Sequence, residues 1–129
     1  LPESIQKDID SVEHETNDFD TLTLNLAINY GGRNEIVRSV KKIIESNIKS
    51  EDISEKLISD NFDIKELPDV DLLIRTGGEK RLSNFLLWHA AYAEFLFTDT
   101  LWPDYKENEF YENIREFQSR SRRFGAVPV

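Results

Sequence analysis

The chain has 129 residues, 39% of them apolar, and a formal charge of −9 at pH 7, enough for one compact domain with a core and too short for two. The acidic balance argues against general nucleic-acid binding, which asks for a basic face. With no cysteine at all, disulfides and thiolate metal sites are excluded, as befits a reducing compartment.

Residues 3–17 carry Ile5, Ile9 and Val12 at helical spacing among acids, and are expected to form an amphipathic helix with its charges in water. After a loop at 17–20, "TLTLNLAI" alternates Leu22, Leu24, Leu26 and Ile28 at period two, the mark of a strand. It runs into "NYGGRNE". From Asn34 onward Ile36, Val37, Val40, Ile43 and Ile44 form an apolar helical stripe.

"SEDISEKLISDNF" reads as a shorter helix starting near Ser50 or Glu51, and Pro68 ends the connection that follows. "VDLLI" is nearly continuous apolar sequence, suited to a central strand covered on both faces. Ser83 is placed as the N-cap of a helix through Tyr92, with Glu94 near its end. "EFLFT" is a further candidate strand, and Asp104 and Glu107 have capping-box spacing before a last helix carrying Phe110, Ile114, Phe117 and Phe124. Strands alternating with helices predict an α/β fold with a parallel sheet flanked by helices.

The sequence shows no signal peptide. Its longest apolar-rich stretch, residues 85–97, is interrupted by His89 and Glu94 and is too short for a membrane span. There is no methionine, even at position 1, so the chain is expected to be a piece of a longer protein.

Both glycine pairs, in "INYGGRNE" and "IRTGGEKRLS", follow a predicted strand and precede a predicted helix. In parallel α/β sheets ligands bind at that edge, where helix N-termini offer unpaired N–H groups. Residues 75–84 hold three cations against one acid, whereas residues 1–20 hold seven acids against one lysine. Arg75, Arg81 and Ser83 together suit a diphosphate, because guanidiniums present forked donors to its oxygens. The plainer alternative pairs both arginines with surface carboxylates and leaves Ser83 as a cap. Neither loop is a P-loop or a GxGxxG fingerprint.

Glu94, beside Phe95 and Phe97, is by residue type more often a surface or paired group than a metal ligand. Near a magnesium-bound diphosphate it becomes a candidate ligand. His14 and His89 lack a second ligand at metal spacing and read as structural. Phe85, Trp88 and Tyr92 read as core, and "SRSRRFG" reads as a solvated helix end or a second anion-binding arm.

"DLLIRTGGEKRLSNFLLWHAAYAEFLFTDTLWPDY", preceded by "LAINYGGRNEI" and followed by "RSRRFG", resembles the cis-prenyltransferases, the family of undecaprenyl diphosphate synthases. The similarity runs over residues 20–125 and matches only the C-terminal part of that family's domain. The resemblance implies a homodimeric α/β fold. It also implies a magnesium-dependent condensation of isopentenyl diphosphate onto an allylic diphosphate such as farnesyl diphosphate, giving a long-chain polyprenyl diphosphate such as undecaprenyl diphosphate.

By motif, Arg75, Arg81, Leu82 and Ser83 look like the isopentenyl diphosphate site and Glu94 like the Mg2+ ligand. Arg123 and Gly125 match the family's terminal "RxG", which reaches into the partner subunit's site. Some relatives carry histidine where Lys80 stands. The family's catalytic aspartate belongs to an N-terminal motif with no counterpart here, so residues 1–129 alone are expected to be inactive. The resemblance leaves open a non-catalytic partner subunit of a heteromeric enzyme, and the residues alone leave open an unrelated phosphate-binding module. A cytoplasmic location is expected, with peripheral membrane contact only through the lipid product.

Overall fold

The computed structural model describes residues 1–64 and 68–120. Helix α1 (Glu3–Thr16) is followed by α2 (Gly32–Glu45), a 3₁₀ turn (Ser50–Asp52) and α3 (Glu55–Asp60). Strands β1 (Leu72–Arg75) and β2 (Glu94–Phe97) come next, then a 3₁₀ turn (Trp102–Asp104) and α4 (Glu107–Ser119). The two strands pair in parallel, with Leu72 opposite Glu94 and Arg75 opposite Phe97. The expected α/β architecture with a parallel sheet and flanking helices is therefore present.

The core is small and lies between α2, α3 and the sheet. Ile43, Phe62, Leu73, Ala90 and Leu96 are buried. The Phe62 ring packs edge-on against Trp88 and His89, with centroids 5.8 and 5.0 Å away. Ser39, fully buried on α2, donates its hydroxyl to the Ile58 carbonyl at 2.7 Å, which joins α2 to α3 without leaving a polar group unpaired. Helix α3 is capped by Ser54, whose Oγ accepts from the Leu57 N–H at 3.2 Å. His89 belongs to this core, with Nδ1 3.9 Å from Asp69, and His14 lies on exposed α1. Among the described residues neither is grouped with two further His, Cys, Asp or Glu side chains.

Several expectations are corrected. "TLTLNLAI" enters no ladder among the described residues, and Leu22, Leu24, Leu26 and Ile28 are 83%, 76%, 74% and 54% exposed. Alternation identifies a chain able to be a strand, but a strand exists only where a neighbour supplies its hydrogen bonds. On α2 the buried face is Glu35, Ser39 and Ile43, while Val37, Val40 and Ile44 of the apolar stripe are exposed.

Residues 83–92 form turns and no helix. Ser83, Asn84 and Leu86 have positive φ of 49°, 65° and 44°, which an α-helix cannot contain. Ser83 is thus no N-cap, and Glu94 opens β2 instead of closing a helix. The same loss of helical spacing separates the three aromatics: Trp88 packs on Phe62, Phe85 meets Tyr30, and Tyr92 is exposed. The segment from Ser50 splits into a 3₁₀ turn and α3, and α4 starts at Glu107 after Lys106 with no side-chain cap, so the capping box is not formed. Phe124 lies outside the described residues.

Candidate diphosphate site

β1 delivers Arg75 to the carboxyl end of the sheet, where Gly77 and Gly78 turn the chain with φ of 87° and 76°. That left-handed geometry is open to glycine and strained for other residues. The turn is held by β2's continuation: the Gly77 N–H donates to the Thr100 carbonyl at 2.8 Å and Gly78 to Thr98 at 2.9 Å. These N–H groups are consumed by the fold and do not face an anion.

Arg75 then folds over the next turn. Its Nη1 donates to the Ser83 hydroxyl at 2.8 Å and to the Arg81 carbonyl. A cleft of about 260 Å³ opens here. Arg75, Arg81 and Ser83 form its polar part, and Leu73, Ile74, Leu82 and Phe85 its apolar walls. Three of the sequence-predicted groups are thus brought together with Leu82, around a space lined by both guanidiniums and apolar side chains.

Arg81 reaches back to pair with Glu79, but its side chain is 63% exposed. Such an exposed pair is worth about 0–1 kcal/mol, so an incoming anion with two or more charges can draw Arg81 away from it. Lys80 is also exposed in the same turn.

The other glycine pair has a different job. Gly31 is extended, at φ −153° and ψ 122°. A Cβ on Gly31 would stand 2.8 Å from Asn84 Nδ2, and one on Gly32 would stand 3.0 Å from both the backbone nitrogen and Cγ of Leu87. These glycines let the 82–87 loop lie directly against the start of α2. Asn84 occupies the donors there: its carbonyl accepts from the Gly32 N–H at 2.7 Å and its Oδ1 from the Arg33 N–H at 2.9 Å. This second glycine loop, also read from the sequence as a ligand-binding edge, is therefore filled by protein. Tyr30 adds an edge-on contact with Phe85, centroids 5.6 Å apart, and donates its hydroxyl to the buried Glu35 carboxylate. Burial first, and that hydrogen bond second, hold the Tyr30 phenol well above its ordinary pKa.

Sequence reasoning missed Asn84. Its signal was present, since asparagine is the residue other than glycine that most readily takes a left-handed backbone.

Glu94 stands three residues before Phe97, the register partner of Arg75, or about 10 Å along the strand. Its carboxylate accepts from Arg120 Nη1 at 2.8 Å, and Arg120 also reaches the Phe95 carbonyl at 3.1 Å and Glu116 at 2.6 Å. The structure does not gather Glu94 with Arg75, Arg81 and Ser83. Among the described residues no three His, Cys, Asp or Glu side chains form a metal-holding group. Arg123 and Gly125 lie outside the described residues.

A family model described as "Putative undecaprenyl diphosphate synthase" matches residues 1–125. An isoprenyl transferase of Chlamydia pneumoniae is 52% identical over 97% of this chain and 52% of its own length. One from Bacillus subtilis is 48% identical over 98% of this chain and 50% of its own length. The crystal structure of a probable undecaprenyl diphosphate synthase from Campylobacter jejuni superposes with a TM-score of 0.84 at 43% identity, covering 98% of this chain and 58% of that one. Lavandulyl diphosphate synthase from Lavandula x intermedia, in complex with dimethylallyl diphosphate, gives 0.91 at 35% identity, covering 98% of this chain and 56% of that one. The chain spans about half the length of the curated relatives it matches. With nearly all of its residues inside the family model, this chain belongs to the undecaprenyl diphosphate synthase family of prenyltransferases.

Proposed function

We propose that residues 1–129 are the C-terminal part of a single cis-prenyltransferase domain and supply its isopentenyl diphosphate site. The observation that carries this reading is the cleft in which Arg75, Arg81 and Ser83 face Leu82, Phe85 and the strand's apolar side chains. A five-carbon apolar group ending in a diphosphate asks for those two kinds of wall side by side. The reaction is condensation of isopentenyl diphosphate onto an allylic diphosphate such as farnesyl diphosphate, and the product is a long-chain polyprenyl diphosphate such as undecaprenyl diphosphate. Holding the acceptor diphosphate fixes the double bond where the allylic carbon must meet it, which is catalysis by positioning. A non-catalytic partner subunit finds no support, since Arg75, Arg81 and Ser83 are all retained and converge.

The piece-of-a-domain reading is supported by apolar surface that nothing described covers: the Leu22–Ile28 leucines and the Val37, Val40 and Ile44 face of α2. The preceding part of the domain covers them and brings the catalytic aspartate. The working enzyme is a homodimer in which Arg123 and Gly125 reach the partner's site. It is cytoplasmic, and touches the membrane through its product. No helix among the described residues is long and apolar enough to cross one.

Magnesium is the proposed cofactor and Glu94 its one ligand from this chain. A single carboxylate fits an ion that completes its shell with phosphate oxygens and water. Glu94 is half-buried and already binds a cation, Arg120, so a metal takes that place only as Arg120 lets go. When bound, magnesium neutralises diphosphate charge and stabilises the departing group.

The test is isopentenyl diphosphate binding by calorimetry in the full protein that carries this chain. Replacing both Arg75 and Arg81 by alanine removes several charge-assisted hydrogen bonds, each worth about 1.5–3 kcal/mol, and is expected to weaken binding at least a hundredfold. Unchanged affinity in a folded double variant overturns the assignment.

A further inference from the structure

We propose that Asn84 is a positioning residue: it staples the 82–87 loop to the first turn of α2 and so holds the Arg75–Ser83 cleft in its binding shape. This rests on the diphosphate reading of that cleft. The loop is also held by Arg75, which reaches Ser83 and the Arg81 carbonyl, and by the Tyr30–Phe85 contact, but its hydrogen bonds to α2 come from Asn84. The loop contains three non-glycine residues in left-handed conformation, Ser83, Asn84 and Leu86, a strained state for Ser83 and Leu86 above all, and it lacks the ladder of a helix or strand. Such a run persists only where its surroundings over-determine it.

Asn84 supplies that determination with two hydrogen bonds to one helix end. Its own carbonyl takes the Gly32 N–H at 2.7 Å and its side-chain Oδ1 the Arg33 N–H at 2.9 Å. Helix α2 has no side-chain cap from its own preceding residue, Gly31, so Asn84 caps it from 51 positions away. The residue on one side of Asn84 is Ser83, which receives the Arg75 guanidinium; the residue on the other is Phe85, which walls the cleft. Both ends of the recognition surface are therefore hung on one asparagine.

Asn84 touches no ligand group itself, so its effect runs through the fraction of molecules whose loop is already in place. Apparent affinity scales with that fraction. Asn84→Gly keeps the left-handed backbone and the main-chain carbonyl accessible, deletes the side chain with its Oδ1 contact, and frees the backbone of residue 84.

The experiment measures isopentenyl diphosphate affinity of the full protein carrying Asn84→Gly, beside Arg75→Ala, at a temperature where circular dichroism shows every variant folded. Amide hydrogen exchange at Gly32 and Arg33 is followed in parallel. The expected result is binding about two- to tenfold weaker in Asn84→Gly, the scale of one lost hydrogen bond, with faster exchange at Arg33. Addition of isopentenyl diphosphate slows that exchange again, which a cap with no link to the cleft would not show. In turnover, KM for isopentenyl diphosphate rises and kcat at saturation holds.

Wild-type affinity in Asn84→Gly, with Arg75→Ala impaired, overturns the positioning role and leaves the diphosphate site standing. Wild-type affinity in both variants overturns the diphosphate reading, and the inference with it.

Discussion

The two glycine loops look alike on paper and do opposite work. Gly77 and Gly78 both sit at positive φ; a Cβ on Gly77 would meet nothing nearer than Leu101 Cδ2 at 4.0 Å, so torsion alone requires it, while one on Gly78 would also come within 3.2 Å of the Asp99 side chain. Gly31 and Gly32 are needed for space. Gly31 is extended and Gly32 starts a helix, yet a Cβ on either would press into the 84–87 loop. One pair bends a strand end to build the cleft, and the other makes room for the cleft's back wall. A glycine pair ahead of a helix or turn therefore does not by itself say which loop meets the ligand.

The largest way to break the contrast is Gly32→Ala. Its methyl would stand 3.0 Å from the Leu87 backbone nitrogen, which cannot swing aside as a side chain can. Overpacking of this kind costs about 1–3 kcal/mol, and alanine's better helix propensity returns at most about 1 kcal/mol. The expected outcome is a lower melting temperature together with weaker isopentenyl diphosphate binding, because the displaced loop carries Ser83 and Phe85. A melting temperature equal to wild type would show that the loop moves freely and that space is not what Gly32 provides.

Gly77→Ala is expected to do less, about 1 kcal/mol, through backbone strain alone. Asparagine separates the two causes. Gly77→Asn should recover part of the loss, since asparagine tolerates the left-handed region, whereas Gly32→Asn should be worse than Gly32→Ala because its side chain is larger. Denaturant midpoints of the four variants rank the effects, and equal behaviour of the two asparagine variants would erase the distinction.

How much of this was legible in the sequence follows the same division. β1 and β2 were readable because "VDLLI" and "EFLFT" carry their apolar character locally, and α2 because its start and period are local too. That Arg75 and Arg81 gather in one place was readable from a charge reversal in an acidic chain, with Ser83 in the same short segment. The turns at 83–92 were not, since apolar residues at helical spacing there outweigh the one local hint of positive φ, Asn84. Nor was the Asn84 staple, which joins residues 51 positions apart. "TLTLNLAI" failed for another reason: its alternation was genuine, but the neighbour that would make it a strand is not among the described residues.

The smallest expected effect sharpens the comparison from the side of the helix that backs the cleft. Arg38, on α2, holds Asp63 through Nε at 3.1 Å to each carboxylate oxygen and through Nη2, and Lys42 stands 3.8 Å from the same group. The Arg38 hydrogen bond, more than its charge, lowers the Asp63 pKa below the ordinary aspartate range. A carboxylate depressed in the folded state binds fewer protons there than when unfolded, so its stabilising contribution is complete above the unfolded aspartate pKa of about 3.9. That contribution fades as pH falls through the lower folded value. About a third of the Asp63 side chain is exposed, so solvent screening keeps the contribution below about 1 kcal/mol. Urea unfolding at pH 6 and pH 3 should show wild type losing slightly more stability on acidification than Asp63→Asn, which has no such proton to take up. Equal losses would mean that the Arg38–Asp63 pair does not brace α2.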